Sequence, residues 1–153
     1  MDFDQSRIMK DPLYKKFQNE LEKFSLKKND KIIIAISGGL DSITLLILLF
    51  SSQKYKLINV HVNHGLHEKS IEHNLFVKEL SHKLEIPCYT KKLNPQRNNK
   101  STSNEEWARL ERYSFLNSIL YETDSQFIMT AHHGNDQAET LLMNLCRKTG
   151  VAG

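Results

Sequence analysis

The sequence predicts an α/β protein with a doubly wound, mostly parallel sheet and helices on both faces. Three observations lead there. Short segments that read as strands recur at residues 31–36, 56–62, 88–93 and 126–131, the first of them a β-branched run. Between them lie longer segments whose apolar residues repeat at helical spacing. The first run, with Ile32, Ile33, Ile34 and Ile36, lacks polar alternation, as a strand covered on both faces does. Strands alternating with helices give crossover units and a parallel sheet. The right-handed crossover rule then assigns each helix to a face.

The elements follow in order. Residues 1–10 carry little pattern and are expected to be loosely ordered. Leu13, Phe17, Leu21 and Phe24 predict an amphipathic helix over 12–26, with Pro12 suited to its first turn. Residues 1–29 read as an N-terminal extension with that one helix, and 30–153 as the main domain. After the strand at 31–36, Ile43, Leu45, Leu46, Leu48 and Leu49 predict a helix over 41–52. The strand at 56–62 precedes a helix over 69–85 built on Ile71, Leu75, Phe76, Leu80 and Leu84, which Pro87 ends. The strand at 88–93 runs into a polar stretch, 94–104, with Arg97 and Lys100. Two readings of it stand, a solvated loop, and a functional segment that is a flap over a bound nucleotide or an RNA contact. Ser103 or Asn104 caps the next helix, with Glu105 and Glu106 in the first turn, where carboxylates suit the helix dipole. Trp107, Leu110, Phe115, Leu116 and Leu120 are its apolar positions. The strand at 126–131 follows, and a last helix is expected at 135–147.

Composition narrows the function classes. A chain of 153 residues suits one domain with a proper core. Its 39% hydrophobic and 25% charged residues are ordinary for a globular protein. No apolar run approaches the ~20 residues of a membrane-spanning helix, and Met-Asp-Phe-Asp lacks the order of a signal peptide. No membrane partner and a cytoplasmic location are therefore expected. Cys88 and Cys146 form no C-x-x-C pair, which argues against a redox pair or a cysteine-rich metal site. Both read as small buried apolar residues. The net charge of +3 permits a nucleic-acid partner without demanding one.

Two clusters carry chemistry. The first is Ser37-Gly38-Gly39-Leu40-Asp41-Ser42, a tight turn between a buried strand and a helix. N–H groups at a helix start have no intrahelical partner and sit at the positive end of the helix dipole. Glycines let the backbone approach a phosphate there. Ser37 and Ser42 add hydroxyls, and Asp41 adds a carboxylate that suits Mg²⁺ or a helix cap. A plain strand–helix turn capped by Asp41 is the other reading. The spacing and lysine of a Walker A loop are absent. The second cluster is His132, His133, Asp136 and Glu139 after the fourth strand. On a helix, Asp136 and Glu139 would share a face. Such groups bind Mg²⁺, orient an amine or move protons. The other reading is solvated first-turn acids and a structural histidine. His61 and His64 fall at the end of the second strand, where ligands bind in open α/β sheets. Arg109 and Arg112 are i, i+3 on one helix. They read as a surface ladder or as an arginine aimed at a phosphate.

The turn resembles the SGGxDS signature of the PP-loop ATP pyrophosphatases. A narrower resemblance rests on four motifs in order. They are Ser37-Gly-Gly-Leu-Asp-Ser42, His61-Val-Asn-His-Gly-Leu66, Ala108-Arg109-Leu-Glu-Arg112-Tyr113 and Ala131-His132-His133-Gly-Asn-Asp136-Gln-Ala-Glu139-Thr140. Over about residues 30–153 this order is similar to the tRNA(Ile)-lysidine synthases. The resemblance implies a PP-loop (adenine nucleotide alpha hydrolase-like) domain with ATP and Mg²⁺. It implies adenylation of the wobble cytidine of a tRNA(Ile) with a CAU anticodon, then attack of free L-lysine to form lysidine, with release of AMP and pyrophosphate. It places Ser37, Gly38, Gly39, Leu40, Asp41, Ser42, His61 and His64 at ATP, Asp41 at Mg²⁺, and Arg109, His132, Asp136 and Glu139 at the reacting groups. It also implies a domain truncated at its C-terminal end, whose open sheet edge favours a homodimer. Asn135 departs from the family, which has an aspartate there, and Lys148 stands where a glycine is common. Three other readings remain: a PP-loop cytidine thiolase, a small-molecule amide or amidine synthetase, and a nucleotide-binding module without activity.

Overall fold

The computed structural model describes residues 4–63, 69–94, 103–133 and 141–147. Five strands form one sheet among them: β1 Lys31–Ala35, β2 Lys56–Asn63, β3 Cys88–Lys92, β4 Phe127–His133 and β5 Leu141–Arg147. Their order is β3-β2-β1-β4-β5. β1 pairs in parallel with β2 and β4, and β2 with β3, whereas β5 is antiparallel to β4. The helices are α1 Gln5–Lys10, α2 Pro12–Glu22, α3 Leu40–Ser52, α4 Lys69–Lys83 and α5 Asn104–Glu122.

The central strand explains the two layers. Ile32, Ile33 and Ile34 are wholly buried. Ile32 and Ile34 face a core with Tyr14, Phe17 and Leu21 of α2, Leu45, Leu46 and Leu49 of α3, and Val77 and Leu80 of α4. Ile33 faces the other side, with Leu116, Ile119 and Leu120 of α5 and Ile58 and Val60 of β2. Thus α5 covers the opposite face from α2, α3 and α4. The topology requires this. The chain moves outward from β1 to β3, then α5 carries it back past β1 to β4. With right-handed crossovers, reversing direction changes the face.

Several expectations are corrected. Residues 5–10 form α1, because Asp4 accepts the Arg7 N–H and caps it. The next helix is Pro12–Glu22, capped by Asp11, and its buried stripe is Tyr14, Phe17 and Leu21, with Leu13 exposed. On α4 the buried line is Val77, Leu80 and Ser81, with Leu84 just beyond; Ile71, Leu75 and Phe76 are exposed. Leu110 of α5 is likewise exposed. A helix on one face of a sheet buries only a narrow stripe, so neighbouring apolar residues stay outside. Cys88 is half-buried. The helix expected over 135–147 is replaced, at Leu141–Arg147, by β5, in register from His133↔Leu141 to Phe127↔Arg147. Pairing satisfies the backbone groups that β4 would otherwise present as a sheet edge.

Candidate functional site

β1 ends where its neighbours continue. The Ile36 N–H still bonds to the Val60 carbonyl at 2.9 Å, and the chain then leaves the sheet. Gly38 has φ +90°, a conformation that costs an L-residue. Gly39 is the N-cap of α3 with φ −81° and ψ 162°, and it provides no side-chain cap. Asp41 therefore lies in the first turn and is not the N-cap. The two serines stitch the turn. Ser42 Oγ donates to the Gly39 carbonyl at 2.9 Å and accepts from the Ser37 N–H at 3.2 Å. Ser37 Oγ lies 3.1 Å from Ser42 Oγ and accepts from the Gly39 N–H at 3.2 Å. Each hydroxyl has one proton. Ser42 spends its proton on Gly39, so Ser37 donates to Ser42. The donors left to meet an anion are the backbone N–H groups opening α3.

The turn borders a cleft of about 150 Å³ lined by Ala35, Ile36, Ser37, Val60, Val62, Thr130, Ala131, Leu116 and Arg112. It lies over the C-terminal ends of β1, β2 and β4. The strand order reverses between β1 and β4, which is where open α/β sheets bind ligands. The half-buried arginine of this cleft is Arg112, its guanidinium carbon 5.3 Å from the Tyr113 ring centroid. Arg109, expected from the motif, is exposed and sits 5.9 Å from the same ring. The i, i+3 spacing puts both on one broad helix face, and the way α5 crosses the sheet selects between them.

His61 is buried on the α4 side of β2, below Asn59, which bonds to Ser81 of α4 at 2.9 Å. Its Nδ1–H donates to the Ile36 carbonyl at 2.7 Å. Burial pushes the imidazole below its usual pKa, opposed by that hydrogen bond and reinforced by the nearby His73 and Lys78. A neutral ring with Nδ1 protonated has only a lone pair at Nε2. That nitrogen is buried and has no hydrogen-bond partner among the described residues. A lone pair does not bind a phosphate oxygen, and the Nδ1–H bond ties His61 to the entry of the turn at Ile36. Sequence reasoning also missed His73 of α4. A Cβ built on Gly38 would lie 2.9 Å from His73 Cβ and 3.0 Å from its Cγ. No local pattern signals a contact between such distant segments.

The remaining sites divide by position. Leu40 opens α3 and is exposed. His132 and His133 lie at the end of β4, paired with Leu142 and Leu141. His64, Asp136 and Glu139 fall outside the described residues, as do Asn135 and most of the polar stretch. Among the described residues no three His, Cys, Asp or Glu side chains gather as a metal site. Mg²⁺ at nucleotide sites is usually held by one or two carboxylates plus phosphates and water. A single carboxylate, Asp41, in the first turn of α3 fits that donor set.

A parallel sheet whose order reverses beside a glycine turn and a helix N-terminus without a side-chain cap defines a nucleotide-binding α/β domain. The family model described as the PP-loop domain matches residues 11–153, and the chain belongs to that family. Its curated relatives are more particular. It is 38% identical over 147 residues to a tRNA(Ile)-lysidine synthase of Thermosipho africanus, covering 92% of this chain and 34% of that protein. It is 38% identical over 138 residues to the tRNA(Ile)-lysidine synthase of Clostridium perfringens, covering 86% and 29%. The chain thus spans about a third of the length of the curated relatives it matches. Among solved structures, a U34-tRNA thiolase of Methanococcus maripaludis with its [4Fe-4S] cluster superposes with TM-score 0.68 at 20% identity, over 79% of this chain and 44% of that one. An NH3-dependent NAD synthetase of Campylobacter jejuni gives 0.55 at 15% identity, over 83% and 56%. At such identities these two show the fold alone. No helix among the described residues is long and apolar enough to cross a membrane.

Proposed function

We propose that this chain is the ATP-binding, adenylating part of a tRNA(Ile)-lysidine synthase acting in the cytoplasm. The observation that carries the reading is the Ser37–Ser42 turn, stitched by its own serines at the N-terminus of α3, with Ser37 bordering a cleft that Arg112 also lines. The names of the relatives supply the substrate.

The chemistry proceeds in two displacements. The 2-carbonyl oxygen of the wobble cytidine attacks the α-phosphorus of ATP. The bond to pyrophosphate breaks, and the base carries AMP on that oxygen. The ε-amine of free lysine then attacks C2, the C–O bond breaks, and AMP leaves as the amine gives up a proton. The α3 N–H groups hold the phosphates where charge collects on departing pyrophosphate. Mg²⁺, when bound, would neutralise phosphate charge, with Asp41 as its protein ligand. Arg112, in place of Arg109, faces the phosphates or the activated base. His64 is assigned to the nucleotide, and His132 to the activated cytidine and the lysine. Asp136 and Glu139 match the charge of the lysine amine and take its proton. His61 holds the turn. Residues 1–29 are an extension of the catalytic domain, and a second copy at an open sheet edge makes the homodimer.

The test is incubation of the protein with ATP, Mg²⁺, radiolabelled lysine and unmodified tRNA(Ile) bearing CAU. Label entering the tRNA, and lost when the wobble cytidine is replaced, is the expected result. No label while ATP is still cleaved to AMP and pyrophosphate would refute lysidine formation and leave the thiolase or small-molecule synthetase. No cleavage at all would leave a binding module.

A further inference from the structure

The proposed turn has a charge problem. Ser37–Ser42 contains no lysine or arginine and one carboxylate. A P-loop solves the same problem with its own lysine. Here the cationic help must come from other elements. On the α5 side Arg112 lines the cleft beside Ser37. The α4 side has no such group in any of the sequence motifs.

His73 occupies that side. Beyond the close approach of its Cβ and Cγ, its Nδ1 would lie 3.3 Å from a Cβ on Gly38. The imidazole therefore rests on the bare backbone of the turn, at the residue whose φ is +90°. Unlike His61, it is exposed. Among the described residues nothing hydrogen-bonds its ring nitrogens. A ring in this place has donors to offer and lies on the opposite sheet face from Arg112, since α4 and α5 pack on different cores.

Resting on the reading that Ser37–Ser42 hold phosphate, we propose that His73 is a further phosphate-contacting residue. It donates an imidazole N–H to the pyrophosphate part of ATP from the α4 side, so that the phosphates lie between His73 and Arg112. Gly38 is then required twice, for its backbone conformation and to let the ring reach the phosphate.

The experiment measures binding of ATP, inorganic pyrophosphate and AMP by titration calorimetry to the wild type, His73→Ala and His73→Lys. His73→Ala is expected to weaken ATP and pyrophosphate about tenfold, since a charge-assisted hydrogen bond contributes roughly that much, and to leave AMP within about twofold. His73→Lys, which keeps an N–H donor, is expected to recover most of the loss. Equal weakening of AMP and ATP, or no recovery with lysine, would mean that His73 only packs the turn and would overturn the proposal. So would unchanged ATP affinity in His73→Ala while the wild type binds ATP, and that outcome leaves the nucleotide reading standing. A wild type that binds neither ATP nor pyrophosphate overturns both.

Discussion

Gly38→Ala separates the two glycines of the turn. An L-residue at φ +90° costs roughly 1–3 kcal/mol. Its Cβ would meet His73 Cβ at 2.9 Å, well inside the 3.5–4.0 Å of an ordinary carbon contact. Relief requires α4 or the turn to shift, at a cost of about 1–3 kcal/mol. The sum, roughly 2–6 kcal/mol, corresponds to a fall in Tm of about 4–24 °C in a chain of this size. Gly39 is the internal control. Its φ is −81°, and its Cβ would lie 3.4 Å from Ser37 Oγ. Gly39→Ala should therefore cost under about 1 kcal/mol, mostly through the weaker N-cap. The assay is thermal unfolding by circular dichroism, with ATP affinity alongside. In the double variant Gly38→Ala with His73→Gly the steric part is removed and the backbone part stays, so Tm recovers only in part. Equal Tm values for Gly38→Ala and Gly39→Ala would refute the reasoning.

Three further outcomes are expected. The depressed pKa of His61 means that, between its folded value and the ordinary unfolded value of about 6.5, the unfolded chain binds more protons, so stability falls as pH drops through that window. The slope is at most about 1.4 kcal/mol per pH unit. His61→Gln should flatten Tm between pH 7 and 5.5, and an identical loss in wild type and variant would contradict this. Arg112→Ala should lower the rate of ATP–pyrophosphate exchange about 10–100-fold, while Arg109→Ala changes it by less than about threefold, given what one charged hydrogen bond contributes; the reverse order would restore Arg109 to the site. Asp136→Ala should raise the KM for lysine about tenfold or more, as loss of a charged partner does, and an unchanged KM would remove it from amine binding.

The parts of the fold visible in the sequence are those set by neighbours along the chain. The unbroken apolar run of Ile32, Ile33 and Ile34 marked a doubly covered strand, and each is wholly buried. Ser103 before Glu105 and Glu106 marked the start of α5, where its side chain accepts the Glu106 N–H at 3.2 Å. Strand endings were harder to read. β4 continues through His133, and residues 141–147 read as a helix because Leu141, Leu142 and Leu145 also fit helical spacing. Their pairing with β4 is a contact between separate segments, and an apolar run this short does not distinguish strand from helix.

The same division holds at the candidate site. Sequence alone was enough for the glycine turn between a buried strand and a helix, because a helix N-terminus and a glycine conformation are local properties. Three outcomes belong to tertiary structure. Packing of α5 across the sheet brings Arg112 rather than Arg109 into the cleft. Burial beneath α4 and the bond to the Ile36 carbonyl tie His61 to the entry of the turn. Packing of α4 against the turn lays His73 on Gly38. Periodicity tells which residues share a face of one element. Which of them meets another element depends on crossing geometry and sheet order, and these arise only when the segments pack.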